Sequence, residues 1–158
     1  MKNGTVIFLK GVTVFIGVVI AICCIWPLPN LAREAAELNP EFAYLRIPVL
    51  AGIYMTAVPF YFALYQAFHL LTLIEKEYAF SEWAVKTLGN IKVCAGAIIG
   101  LYAIGTAGLF ILNALHPGIA LIGGGIMFTT LVIFFFAAVL QELLSSALKI
   151  KSENDLTV

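Results

Sequence analysis

The sequence predicts an all-α integral membrane protein: a bundle of four transmembrane helices in which the fourth helix has a cytosolic extension. Hydrophobic residues make up 62% of the 158 residues and charged residues 11%, whereas a soluble domain averages about 45–50% and about 25%. The mean hydropathy is +1.02. Charged residues are also absent from three long runs, as expected for segments that cross a lipid bilayer.

The charge-free runs define the predicted spans. No Asp, Glu, Lys or Arg occurs in residues 11–32, 47–74 or 93–141. A helix crosses the hydrocarbon core with about 20 residues, so the first two runs each hold one span. The third run contains the turn signal Pro117-Gly118 and holds two spans. The chain is predicted to be one domain, 1–158, with a middle loop at 75–92 and a tail at 142–158. The predicted spans are 8–28, 47–74, 93–112 and 119–141.

The first span is expected to be an uncleaved helix. Lys2 and Lys10 precede an apolar stretch, as they do in a secretory signal peptide. However, no pair of small residues suitable for cleavage follows Trp26. The segment is therefore predicted to remain in the membrane.

Lysines and arginines in the short loops predict the orientation. Seven lysines fall on one side of the predicted membrane, and Arg33 and Arg46 fall on the other. Because cytoplasmic loops are enriched in basic residues, both termini and the middle loop are predicted to lie in the cytoplasm. The seven lysines are Lys2, Lys10, Lys76, Lys86, Lys92, Lys149 and Lys151.

Both cytoplasmic segments are predicted to contain helix. In the middle loop, Ser81 is the predicted N-cap of an amphipathic helix that has Trp83, Ala84, Leu88 and Ile91 on one face. Either this helix lies at the membrane interface and only anchors the loop, or its face contacts a partner. Beyond the fourth span, the helix is expected to continue for about three turns with one apolar face. That face consists of Leu140, Leu143, Leu144, Ala147 and Ile150.

The second span carries a polar face within the membrane. Tyr54, Tyr61, Tyr65 and His69 follow one another at spacings of seven, four and four residues, which places them on one side of a helix. Two interpretations are open. The face is a proton relay or ligand pocket, or it packs against neighbouring helices with its hydroxyls hydrogen-bonded across them.

Small residues follow helical spacing in the third span. Gly96, Gly100, Ala103 and Ala107 share one face, and small residues allow membrane helices to approach closely. We expect this face to form a tight hairpin between the third and fourth spans. Formation of a homodimer is the alternative.

The sequence contains no pattern that points to catalysis. Cys23, Cys24 and Cys94 lie in predicted spans without a CxxC pair, and no HExxH, phosphate-loop or Ser-His-Asp pattern is present. Nine basic and nine acidic residues cancel, so no net charge attracts nucleic acid. We therefore expect a protein that is not an enzyme, with no cofactor, no metal ion and no direct binding of nucleic acid.

Short matches spread over nearly the whole chain carry a family resemblance. They are Pro59-Phe60, Gln66-Ala67-Phe68 with Leu70-Leu71, Ala79-Phe80-Ser81, Val85-Lys86, Leu88, Ile91-Lys92, Leu140-Gln141 with Leu143-Leu144, and Ile150-Lys151 through Val158. In these residues the chain resembles the YoaS-like family of small bacterial four-helix membrane proteins, whose domain has no assigned function. The tail from Glu153 to Val158 is the most specific match.

The resemblance implies a location and a partner. The location is the bacterial cytoplasmic membrane. Genes of the YoaS-like group commonly neighbour a gene for a very small helix-turn-helix regulator, so the resemblance implies that such a regulator is the partner. The leading hypothesis is a non-enzymatic regulatory protein that binds the regulator through its cytoplasmic loop and tail. The residues expected to make that contact are Phe80, Trp83, Lys86, Leu88, Ile91, Lys92, Glu153, Asn154, Asp155 and Leu156. The alternative is a small transporter or permeation module that uses the Tyr/His face of the second span.

Overall fold

The structure is a computed structural model that describes residues 2–157, with Lys2 described by its backbone alone. Regular structure in this range is entirely helical. Four segments, which contain α1, α3, α4 and α5, are long and apolar enough to cross a membrane, and this confirms the predicted fold class. The elements are α1 (Lys2–Ile25), α2 (Pro27–Leu38), a 3-10 helix (Pro40–Leu45), α3 (Arg46–Glu75), α4 (Glu82–Ile111) and α5 (Pro117–Leu156).

The helix α4 begins well before the membrane-spanning run. Ser81 caps it as predicted, because its side-chain oxygen accepts a hydrogen bond from the backbone N–H of Ala84 at 3.3 Å. From Glu82 onward the helix is continuous to Ile111. The predicted helix of the middle loop is therefore the first part of α4. No proline interrupts residues 82–92, so the capped helix simply propagates into the span.

The last helix is also longer than expected. It runs without a break from Pro117 to Leu156 over 40 residues, which at about 1.5 Å per residue is about 60 Å. The hydrocarbon core is only about 30 Å thick. Tilt alone cannot absorb the difference, so the end of α5 projects beyond the hydrocarbon core. The helix continues past the three predicted turns to Leu156.

The four long helices pack in an open row. α1 packs against α3, α3 against α4, and α4 against α5. Within residues 2–157, no Cα atom of α1 lies within 8 Å of one in α4 or α5, and the same holds between α3 and α5. The predicted bundle is thus one helix thick. Most of the buried apolar residues lie on α4, which is flanked on both sides: Ala84, Leu88, Cys94, Ala95 and Ile98.

The stripe of small residues in α4 does not line the hairpin with α5 along its length. A Cβ placed on Gly96 would lie 3.6 Å from Phe134 of α5, but one placed on Gly100 would meet nothing within 4 Å. Ala103 and Ala107 are exposed. Farther along, α4 approaches α5 at Thr106 instead, where a Cβ placed on Gly123 would lie 3.8 Å from the Thr106 hydroxyl oxygen. Thr106 lies about 80° around the helix from Gly96. The expectation that these small residues form the interface is therefore wrong beyond Gly96.

Candidate functional site

One end of the molecule collects most of the lysines, and we call it the lysine end. Lys10 of α1 forms an ion pair with Glu75 of α3, and Lys92 of α4 contacts Gln141 of α5, which brings these parts of all four helices to the same end. The arginines Arg33 and Arg46 belong to α2 and the start of α3, at the opposite end. The described lysines and the two arginines therefore lie at opposite ends of the molecule. The predicted contribution of the Lys2 side chain lies outside the described residues.

An open groove of about 510 Å³ lies at the lysine end, between the first turns of α4 and the last turns of α5. We call it the terminal groove. Its charges have both signs, since three lysines and two carboxylates line it. The lining residues are Glu82, Val85, Lys86, Ser145, Leu148, Lys149, Lys151, Ser152 and Asp155.

The structure brings some of the predicted partner-binding residues to this groove and its surroundings. Lys86 and Asp155 line the groove. Phe80 and Trp83 are about two-thirds exposed. Further predicted residues near the end of α5, which are also exposed, are Glu153, Asn154 and Leu156.

Three predicted residues do not lie on the open surface as expected. Leu88 is 6% exposed, so the expectation that it contacts a partner is wrong. It is one of the buried residues on α4, which packs between α3 and α5. Ile91 and Lys92 are half-buried, and Lys92 already donates a hydrogen bond to Gln141 at 2.9 Å. The sequence pattern places Leu88 on the same face as Trp83, but residues 82–92 are the start of α4, and Leu88 is buried where α4 packs against its neighbours.

Sequence reasoning missed most of the residues that line the terminal groove. On α5 the groove residues recur at helical spacing, from Ser145 through Leu148 and Ser152 to Asp155. This periodic face was visible in the sequence. The predicted apolar face instead includes Leu143 and Ile150, which are 62% and 68% exposed and lie on a different side of the helix.

A second, smaller cavity of about 180 Å³ lies between α3 and α4. We call it the polar cavity, because its lining is rich in hydrogen-bonding groups. The rings of Tyr65 and His69 stack at its edge, with centroids 6.5 Å apart and an interplanar angle of 12°. The lining residues are Tyr65, Gln66, His69, Trp83, Lys86, Thr87 and Asn90.

The Tyr/His face of α3 is divided between two neighbours. The hydroxyl of Tyr54 donates to the carbonyl oxygen of Cys24 at 2.7 Å, and that of Tyr61 donates to the carbonyl oxygen of Gly17 at 2.8 Å. These two hydrogen bonds join α3 to α1. Tyr65 and His69 instead line the polar cavity beside α4. At 3.6 residues per turn the direction changes by about 60° from the first to the last of the four residues, which is enough to change neighbours.

The chemistry available at this end is binding by charge, hydrogen bonds and apolar contact. In the part of the chain that the structure describes, no three His, Cys, Asp or Glu side chains are placed to share a metal ion. The three cysteines are free thiols. Both cavities therefore offer hydrogen-bonding side chains and at least one charged group each.

Comparisons with known proteins agree with the resemblance seen in the sequence. A family model described as "Protein of unknown function (DUF2975)" matches residues 30–158, a range that contains all the residues of both cavities. The chain is 49% identical to a protein of Bacillus subtilis (strain 168) described as "Uncharacterized membrane protein YoaS". That alignment spans 160 positions and covers both chains completely. No solved structure matches the chain.

Proposed function

The chain belongs to the DUF2975 family, and from this premise we propose that it is a non-enzymatic regulatory membrane protein that binds a small cytosolic helix-turn-helix regulator at its lysine end. In this proposal it lies in the cytoplasmic membrane of a bacterium with the lysine end in the cytoplasm, because basic residues are enriched on that side. The class of partner follows from the resemblance to the YoaS-like family.

The terminal groove is the observation that carries the proposal. Residues 142–156 extend α5 by about 22 Å past the charge-free run, and a helix needs no such extension to anchor itself in lipid. Together with the start of α4, this extension forms an open cavity of about 510 Å³. A groove between two helices is a common docking place for a helix of a partner protein.

The side chains around the groove suit a protein partner. Exposed Phe80 and Leu156 (67% and 87% exposed) offer apolar area that a partner would bury. Lysines and carboxylates at the rim would set the orientation of the bound protein and the rate of its approach. Held at the membrane, a DNA-binding protein is kept from its operator until binding is released, which is the proposed regulatory effect.

The alternative of a transporter has less support. A permeation path through the Tyr/His face needs polar groups that are free to contact a substrate. The hydroxyls of Tyr54 and Tyr61 are instead bonded to backbone carbonyls of α1. We therefore favour the binding function.

Binding to a very small helix-turn-helix regulator, of the kind whose gene commonly neighbours genes of the YoaS-like group, tests the proposal. The full chain in nanodiscs is titrated with that protein. We expect Lys151→Glu and Phe80→Ala each to weaken binding about tenfold, in the range of a moderate interface contact. The matched controls are Lys76→Glu, an exposed lysine outside the groove, and Phe128→Ala, a phenylalanine that is 68% exposed within a predicted span. Equal binding by the groove variants and their controls would overturn the proposal.

A further inference from the structure

A glutamine in the polar cavity has no hydrogen-bond partner among the residues that the structure describes. Gln66 of α3 is 8% exposed, and no hydrogen bond of its side chain occurs within residues 2–157. No fully enclosed side-chain nitrogen or oxygen in this range lacks a partner. The side-chain amide of Gln66 is therefore accessible from the polar cavity, which Gln66 helps to line. Because this amide is accessible and makes no hydrogen bond within residues 2–157, both its N–H and its oxygen are available to a bound polar molecule.

The rest of the lining shows what kind of molecule the cavity suits. It contains no carboxylate, and its one full charge is the ammonium of Lys86. The ion pairs in the described range are those of Lys10 and Arg33, so no carboxylate in that range forms an ion pair with Lys86. The side chains of Gln66, Asn90 and His69 add N–H donors. A positive, donor-rich cavity without acid groups favours an anion with several oxygen acceptors, of which a phosphate ester is the common biological example.

The open row of helices determines how such a molecule would enter. α1 does not reach α4, and α5 does not reach α3, so no other long helix covers the crevice between α3 and α4. The crevice therefore faces the bilayer. Trp83 lines the cavity, and tryptophan is typical of the level of lipid headgroups. A lipid could thus place its headgroup in the cavity without leaving the membrane.

Apolar surface continues from the cavity toward the membrane centre. Phe62 lies one turn from Gln66 on α3, and Val93 lies two turns from Lys86 on α4. Both are exposed, at 51% and 68%, and both are on the membrane side of the cavity. Acyl chains below a bound headgroup would cover them. This continuity favours a lipid over a free phosphate ion.

We propose that the polar cavity binds the phosphate group of an anionic phospholipid from the leaflet at the lysine end. Lys86 supplies the charge, and Gln66, Asn90 and His69 donate hydrogen bonds to oxygens of the phosphate and of the headgroup alcohol. The volume of about 180 Å³ is about six times that of a water molecule in the liquid, which admits one headgroup. This site does not depend on the proposed regulator, since its ligand is different and only Trp83 and Lys86 are shared with the residues expected to bind the regulator.

Titration with defined lipids tests the site. Trp26 lies at the opposite end of the molecule from Trp83, so a Trp26→Phe protein reports on the cavity through the fluorescence of Trp83 alone. The full chain in a neutral detergent is titrated with micelles that contain phosphatidylglycerol or phosphatidylcholine. We expect a saturable change with phosphatidylglycerol at an affinity at least tenfold higher than with phosphatidylcholine. Native mass spectrometry should show one retained phosphatidylglycerol per chain.

Variants and a free-ion control complete the test. Lys86→Gln and Gln66→Met should each reduce the affinity for phosphatidylglycerol about tenfold, while Lys76→Gln should leave it unchanged. If a variant does not fold, the lipid preference of the Trp26→Phe protein decides on its own. Equal binding of the two lipids would overturn the proposal. Full competition by inorganic phosphate at a concentration equal to that of the lipid would assign the cavity to a free anion and also overturn it.

Discussion

Lys92 of α4 donates a hydrogen bond to the side-chain oxygen of Gln141 of α5 across 2.9 Å. The two residues stand at the borders of the long charge-free run, 49 positions apart. Their bond joins α4 to α5 where both helices leave the membrane. Gly89, one turn before Lys92, leaves the space that the amide of Gln141 occupies. The hydrogen bond between Lys92 and Gln141 is therefore accommodated by the missing side chain of Gly89.

The first prediction concerns this glycine. In Gly89→Ala, the new Cβ would lie 2.7 Å from Nε2 of Gln141, so the end of this flexible side chain must shift and its hydrogen bond with Lys92 is weakened. A hydrogen bond to a charged group contributes about 1.5–3 kcal/mol, and because the amide can move only part of this is lost, so we expect the free energy of unfolding in detergent to fall by about 1 kcal/mol. Gly100→Ala is the matched control, because its Cβ would meet nothing within 4 Å. An equal stability of the two variants would contradict the prediction.

The second prediction concerns the attachment of α1. Tyr61→Phe removes the hydrogen bond to the carbonyl oxygen of Gly17 and keeps the ring. Hydrogen bonds between membrane helices average about 0.6 kcal/mol, so we expect a loss of that size and faster hydrogen exchange along α1. Tyr65→Phe serves as the control, since the hydroxyl of Tyr65 has no hydrogen bond in the described structure. Unchanged exchange in α1 of the Tyr61→Phe protein would show that the bond does not hold the helix.

The third prediction concerns the ion pair between Lys10 and Glu75. The side chains are 17% and 34% exposed, and the ammonium also lies 5.3 Å from the centroid of the Phe68 ring. Partial exposure limits such a pair to about 1 kcal/mol or less. We expect Glu75→Gln to lower stability by this amount at low salt and by less at high salt, because ions screen the attraction.

The matched control for the ion pair is the exposed pair of Arg33 and Glu37, whose side chains are 68% and 66% exposed. Glu37→Gln should change stability less than Glu75→Gln does. The exchanged pair, Lys10→Glu with Glu75→Lys, should recover part of the loss. A loss that does not depend on salt would contradict an electrostatic role.

The fourth prediction concerns orientation. In a protein without its three native cysteines, Ser152→Cys should be protected from a membrane-impermeant maleimide added to intact cells, because the lysine end is predicted to be cytoplasmic. Glu41→Cys, at the opposite end, should react. Both positions are exposed, so access to the reagent depends on the side of the membrane. The reverse pattern of labelling would remove the basis for a cytosolic partner.

Comparison of the sequence with the structure shows where prediction succeeds. The four spans followed from charge-free runs, because hydrocarbon excludes ionised groups whatever the neighbouring helices are. The cap at Ser81 was also predictable, since it depends on hydrogen bonds within one turn. The burial of Leu88 was not predictable, because it depends on which helices pack beside that part of α4.

The sequence by itself determined that this chain is helical, crosses a membrane four times and carries its lysines at one end. These properties depend on the transfer of each segment between water and lipid, which is a local property of composition. Only the tertiary structure decided that the helices form an open row, that Tyr61 and Tyr65 face different neighbours, and that a groove forms between α4 and α5. The reason is that lipid is as apolar as the helix surfaces, so hydrophobicity alone does not specify which membrane helices pack together; close packing and hydrogen bonds between particular side chains do.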